Sequence, residues 1–275
     1  MNSQSTDFKV GLALSGGGVK GIAHLGVLKY LDEIGIPVDI IAGTSAGALV
    51  GSLYAAGLSA QQIFDNFMSL GVTSLKLWGS NGLLNTEKMA PIIREQISKA
   101  GKLDSFADFE RELFVVATNM NTGTEAVFSR GSQVSVTKAV TASASFPQVF
   151  SPVEIDGDIY SDGGITNHFP VDLIESRVDY LIGVFVTPHG KMSNRELKFP
   201  GAIGLRALML QGIASEAKKL NNCDLAIVSE ELSEYNTFTL STSSIKKIFM
   251  IGYEAAKAHE SEILKLKSIC ENNRG

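Results

Sequence analysis

Hydrophobic positions along the chain fall into short runs separated by stretches of helical spacing. Val10–Leu14 and Asp39–Gly43 are apolar runs of strand length ending in glycine and serine, as expected of strands buried on both faces. Between them, Val19–Ile34 carries apolar residues at helical spacing and is closed by Gly35 and Pro37. Ala46–Ala56 reads as a second helix stopped by Gly57, and Ser59 caps a third with Gln62 three residues on. Thr86–Lys99 reads as a fourth helix, Leu113–Met120 and Glu125–Ser129 as strands, and Val134–Phe146 as a helix ended by Pro147. Val153–Ile155 and Ile159–Ser161 flank an Asp156-Gly157 pair, a hairpin signal. Tyr180–Thr187 and Leu225–Ser229 are further strands, and Gly201–Leu220 and Ser244–Ser268 are late helices.

This alternation predicts an α/β fold with a largely parallel central sheet covered on both faces. No repeat or shift in composition marks a boundary. The expectation is one domain over residues 1–275, with a core over about 8–188 and a helical part over about 200–270. Gly71–Leu84 and His189–Pro200 are the least regular segments.

Composition narrows the function. A net charge of −5 argues against a nucleic-acid binder, which needs a basic face. Cys223 and Cys270 are the only cysteines, and their separation suggests neither a disulfide framework nor a metal site. With no signal-peptide pattern and no apolar run of spanning length, a cytoplasmic enzyme is the expectation.

The chemistry concentrates at the first two turns. Gly16-Gly17-Gly18-Val19-Lys20-Gly21 follows the first strand and opens the first helix. Such a turn aims backbone amides at a point of negative charge, either a phosphate or the oxyanion of an acyl transfer; a tight turn with no ligand is the alternative. A nucleotide site fits poorly. Lys20 is followed by Gly21 rather than Ser or Thr, and the next strand ends without the acidic residue a dinucleotide fold requires. That strand ends instead in Gly43-Thr44-Ser45-Ala46-Gly47, a G-x-S-x-G elbow between strand and helix. Gly47, Ala48, Gly51, Ser52 and Ala55 share one side of the following helix, permitting close backbone approach. Adjacent parallel strands bring both turns to one edge of the sheet, where a donor-rich turn beside an exposed serine suits a nucleophile with its oxyanion hole. Lys20 and His24 lie on the inward stripe of the first helix. Lys20 suits support of an oxyanion or a place on the rim, and His24 a structural role.

A serine needs a base. Asp162, in Tyr160-Ser161-Asp162-Gly163-Gly164, follows a predicted strand, and the two glycines permit a sharp turn that exposes the carboxylate. An ordinary turn aspartate is the alternative. His189 also follows a strand and keeps a Ser–Asp–His triad open.

These blocks resemble the patatin-like phospholipase family. The third block runs from Ala142-Ser143-Ala144-Ser145-Phe146-Pro147 through Asp162-Gly163-Gly164 to Asn167 and Pro170, and the similarity covers Val10 to Pro188. The resemblance implies a three-layer α/β/α fold and hydrolysis of lipid acyl esters without metal or cofactor. It implies a Ser45–Asp162 dyad with an oxyanion hole around Gly16, Gly17, Gly18, Val19 and Lys20, supported by Gly43, Gly47, Gly163 and Gly164. His168 and Phe169 depart from many members, which leaves the pocket wall open. The implied partner is a lipid or acyl-ester substrate, with transient contact at a membrane surface. Alternatives are a related serine acyltransferase, against which Thr44 beside the serine counts, and a non-catalytic anion-binding regulatory protein. Leu75, Leu77, Trp78, Leu83 and Leu84, with the apolar Gly201–Leu210, suit either a lid over an acyl groove or completion of the core.

Overall fold

In the computed structural model, which describes residues 8–69, 86–188, 190–192, 194–198, 201–235 and 241–274, the apolar runs assemble into one sheet. The chain order is β1 (Val10–Leu14), α1 (Ile22–Ile34), β2 (Ile40–Thr44), α2 (Ala46–Ala55), α3 (Ala60–Ser69), α4 (Met89–Lys99), β3 (Glu112–Asn119), β4 (Thr124–Phe128) and α5 (Val136–Ser143). It continues with β5 (Val153–Ile155), β6 (Asp158–Asp162), β7 (Tyr180–Phe185), the single turn α6 (Asn194–Leu197), α7 (Ala202–Glu216), β8 (Leu225–Val228), α8 (Thr242–Lys257) and α9 (Glu260–Asn273). Strands run in the order β5-β6-β3-β2-β1-β7-β8, with β4 also paired to β3. The segment β3-β2-β1-β7-β8 is parallel, and β6 and β4 are antiparallel to β3.

Alternation along the strands sorts the core into two layers. Leu12, Leu14, Ile41, Leu113, Val115 and Val184 face the larger one, shared with α1, α2, α5 and α8. Ala13, Ile40, Ala42, Phe114, Leu181 and Phe185 face the other, covered by Phe169, Val171 and Ile174 in a run of short 3-10 turns. Burial on both faces explains why β1 and β2 read as continuous apolar runs.

Several boundaries differ from expectation. The first helix opens with a 3-10 turn, Gly18–Gly21, before α1 proper. The helix expected over Val134–Phe146 is only Val136–Ser143, capped by the Ser135 side chain accepting from the Lys138 amide at 3.2 Å. It ends at Ser143, whose carbonyl would need an N–H that Pro147 lacks, and beyond it the Ser145 carbonyl accepts from the Asp162 amide at 3.1 Å. The helix expected over Ser244–Ser268 is two helices, α8 and α9, broken at Ala258–His259. No glycine or proline marks that break. It is tertiary: α8 lies across α1, while α9 turns away with Ile263, Leu266 and Cys270 buried, and Tyr30 donates to Glu260 at 3.0 Å.

Where α1 and α8 cross, two glycines remove the side chains. A Cβ on Gly26 would lie 2.0 Å from the Phe249 carbonyl oxygen, and one on Gly252 2.0 Å from that of Ala23. These obstacles are backbone, so neither helix can yield without moving as a unit. Gly252→Ala should therefore cost about 1–3 kcal/mol or more of stability, read as a lower urea midpoint, while a change on the exposed face of α8 such as Met250→Lys should not.

Candidate active site

Ser45 occupies the corner between β2 and α2 with φ 54° and ψ −118°. A non-glycine residue is seldom held there, and such strain persists only where its surroundings enforce it. Gly43 and Gly47 let the corner close. A Cβ on Gly43 would meet the Gly47 carbonyl oxygen at 2.6 Å, and one on Gly47 would meet the Leu14 carbonyl oxygen at 2.3 Å. Helix α2 thus sits directly on β1. The Ser45 amide donates to Ser143 Oγ at 2.8 Å, tying the corner to the end of α5.

Asp162 ends β6 and is 1% exposed. Its Oδ2 accepts the Ser45 hydroxyl at 2.6 Å and its Oδ1 accepts the Gly164 amide at 2.8 Å. Burial pushes its pKa up to about 7, against the opposing pull of these two donors. Gly163 is required by contact, since a Cβ there would lie 2.2 Å from the Val116 carbonyl oxygen, whereas one on Gly164 would press on side chains alone, 2.9 Å from His168 Nδ1 and 3.0 Å from Asp162 Oδ1.

The glycine turn abuts this pair, with a Cβ built on Gly16 lying 3.5 Å from the Ser45 Cβ. Its amides are not equivalent. Gly16 donates to the His168 carbonyl at 2.9 Å and Lys20 to the Gly17 carbonyl at 3.1 Å, so neither amide of that expected set is available to a ligand. The amides of Gly17, Gly18 and Val19 meet no acceptor among the described residues. A Cβ on Gly17 would strike Val186 at 2.5 Å.

Lys20 and His24 are both buried, as their inward stripe suggested. The Lys20 side chain has no acidic partner among the described residues, and burial, with the Arg206 charge second, lowers its pKa to about 8. His24 donates from Nε2 to the Ser15 carbonyl at 2.9 Å, its pKa pulled down to about 4 by burial. Its Nδ1 is an acceptor without a partner, so its structural role is only half satisfied. His189 and Trp78, with the rest of Gly71–Leu84, lie outside the described residues. Among the described residues no cluster of His, Cys, Asp or Glu could hold a metal ion.

Three supports escaped the pattern reading. Ser143 accepts from the Ser45 amide, and the Ser145 carbonyl accepts from both the Asp162 amide and, at 2.7 Å, the Ser161 hydroxyl. Only the family resemblance singled out that segment. The Thr44 hydroxyl donates to the Asn167 carbonyl at 2.8 Å, and the Asn167 side chain is gripped by Lys219, Asp172 and Glu125 at 2.9–3.2 Å. Nothing in the spacing of those residues announces the clamp. His168 is the third.

A serine at a strand–turn–helix corner, bonded directly to a buried carboxylate at the carboxyl edge of a parallel sheet, defines the class of α/β scaffold. The family model for patatin-like phospholipase matches residues 12–174, more than half of the chain, and the chain belongs to that family of lipid hydrolases. It is 28% identical to protein R571 of Acanthamoeba polyphaga mimivirus, over 93% of this chain and 94% of that protein. It is 32% identical to the lysophospholipase NTE1 of Kluyveromyces lactis over 61% of this chain, but spans only 12% of that longer protein. An NTE-family protein of Mycobacterium bovis is 32% identical over 61% of this chain and 46% of its own length. Among solved structures, VipD from Legionella pneumophila matches the fold with a TM-score of 0.64 at 17% identity, over 94% of this chain and 67% of that one.

The raised pKa of Asp162 ties stability to pH. Folding favours its protonated form, so its contribution is fully present below about 3.8 and is lost as pH rises through about 7. The loss should be roughly 4 kcal/mol. Asp162→Asn does not titrate, so its stability advantage over the wild type should grow from pH 4.5 to pH 8. Urea midpoints of both proteins across that range test this, and parallel curves would contradict it.

Proposed function

We propose that this chain hydrolyses lipid acyl esters through an acyl-serine intermediate, with Ser45 as nucleophile and Asp162 as its base. The observation that carries this reading is the direct 2.6 Å hydrogen bond from Ser45 to a carboxylate whose burial tunes it to accept a proton near neutral pH. Asp162 takes the hydroxyl proton as Oγ attacks the ester carbonyl, then returns it to the leaving alcohol. The free amides of Gly17, Gly18 and Val19 supply the oxyanion donors, each worth roughly 3–4 kcal/mol when well placed. Water then attacks the acyl-serine with Asp162 again as base. The names of the lysophospholipase relatives favour a phospholipid or lysophospholipid as the acyl donor.

Helix α7 supports contact with a lipid surface. Its first turns are apolar, yet Ile203 is 69% exposed, Leu210 is also exposed, and Leu205 and Leu208 are only half-buried. No helix among the described residues is long and apolar enough to cross a membrane, so such contact would be at the interface.

Ser45→Ala and Asp162→Asn should each reduce ester turnover by at least about 10³-fold while the protein stays folded. A fluorophosphonate should label Ser45 alone, and adduct formation at another residue would overturn the assignment. The rate should climb through an apparent pKa near 7, opposite in sign to the pH trend of stability. Ile203→Asn should lower turnover on phospholipid vesicles while sparing a water-soluble short-chain ester; equal loss on both would remove α7 from the interface.

A further inference from the structure

His168 stands where two glycine turns meet. A Cβ on Gly16 would come within 2.9 Å of its Nδ1, and a Cβ on Gly164 would also lie 2.9 Å from Nδ1. Those same two positions lie 3.5 Å from the Ser45 Cβ and 3.0 Å from Asp162 Oδ1. The imidazole therefore fills the gap between the oxyanion turn and the aspartate turn, one short step from both members of the dyad.

The ring is fixed from behind. Nε2 is 2.8 Å from the Thr187 hydroxyl, just beyond β7, and the Phe185 ring meets it edge-on at 6.0 Å between centroids. The His168 carbonyl holds the Gly16 amide. Nδ1 has no protein partner among the described residues, and the side chain is only half-buried. Burial, with the Lys219 charge second, lowers the ring's pKa to about 4, so at neutral pH it is uncharged and does not compete with Asp162 for the proton. When Nε2–H donates to Thr187, Nδ1 is left as an acceptor on the edge of the ring that lies against both glycine turns.

We propose that His168 is a positioning residue for deacylation, its Nδ1 holding the water that attacks the acyl-serine. The inference rests on the Ser45–Asp162 reading. In that step the water oxygen bonds to the acyl carbonyl carbon, and one of its protons passes to Asp162. Its other hydrogen is held by His168 Nδ1. The carbon–Oγ bond then breaks, and Oγ recovers the proton from Asp162. Formation of the acyl-serine from an ester with a good leaving group needs no such water, so the two half-reactions should separate.

The test uses a p-nitrophenyl fatty ester with wild-type, His168→Phe, His168→Gln and Thr187→Val proteins. His168→Phe keeps a ring but no acceptor. Its kcat should fall at least about tenfold with kcat/KM little changed, and intact-mass spectra should show the acyl adduct accumulating. Hydroxylamine, a stronger nucleophile than water, should restore turnover. His168→Gln, which keeps an acceptor, should recover part of the loss. Thr187→Val frees the ring without removing it and should shift kcat in the same direction by less; it carries the comparison alone should the His168 variants not fold. Parallel loss of kcat and kcat/KM without adduct, or no change in either, would overturn the role of His168. Fluorophosphonate labelling of the wild type separates the two levels. Labelling away from Ser45 ends the dyad reading itself, whereas labelling at Ser45 with no adduct in His168→Phe ends only this inference.

Discussion

One hydrogen bond, 2.6 Å from the Ser45 hydroxyl to Asp162, joins residues 117 positions apart, and the surrounding fold is arranged to hold its two ends. The serine end needs a strained corner, which closes only because α2 lies on β1 with no side chain at Gly47. The aspartate end needs β6 to run antiparallel to β3, placing Asp162 opposite Ala117, while Thr44 at the end of β2 pairs with Val116. Neighbouring register thus brings the two turns together before any side chain is considered. Ser143, Ser145 and Asn167 then tie each turn to its neighbours. Strain of this kind is stored at a site and offset by the packing around it.

Whatever follows a periodic rule could be read from the chain before its structure. Buried parallel strands announce themselves as apolar runs, so β1, β2, β3, β7 and β8 were found nearly in register with their true limits. The Gly43-x-Ser45-x-Gly47 corner and the Asp162-Gly163-Gly164 turn were legible because each contains backbone contacts that only glycine permits. What could not be read depends on distant partners. The break between α8 and α9 carries no local stop signal and arises from where each helix packs. The unequal amides of the glycine turn are likewise set from outside, since the Gly16 amide is taken by His168, a residue more than a hundred positions away. The hold of Lys219 on Asn167 crosses from the 3-10 turn after α7 to the loop after β6, and spacing alone cannot foresee it.

Burial governs the electrostatics of the site. Asp162, His24 and His168 are each pushed toward their neutral forms, the acid upward and the histidines downward. The neutral histidines leave the carboxylate without a cation to pin it ionised, so its pKa stays near the pH at which a base is useful. A salt bridge to Asp162 would hold it ionised at neutral pH but weaken it as a base. Cation partners are instead placed farther out, with Lys219 paired to Asp172 and Glu216 at the clamp.

This division of charge also bears on why the described site places no imidazole between serine and carboxylate. His24 is turned to the Ser15 carbonyl and His168 to Thr187, so neither ring takes the Ser45 proton in this arrangement. A triad uses histidine because a solvated carboxylate is too weak a base at neutral pH. Desolvation removes that deficit: an aspartate raised to about 7 has the basicity of an ordinary histidine in a smaller group, at the cost of a buried charge once it ionises. Compensation for that charge comes from fixed neutral donors, the Ser45 hydroxyl and the Gly164 amide. Both lie on turns whose shape is set by glycine contacts. The rigidity of those turns is thus an electrostatic requirement as much as a geometric one, because donors free to swing away would leave the buried carboxylate unsolvated.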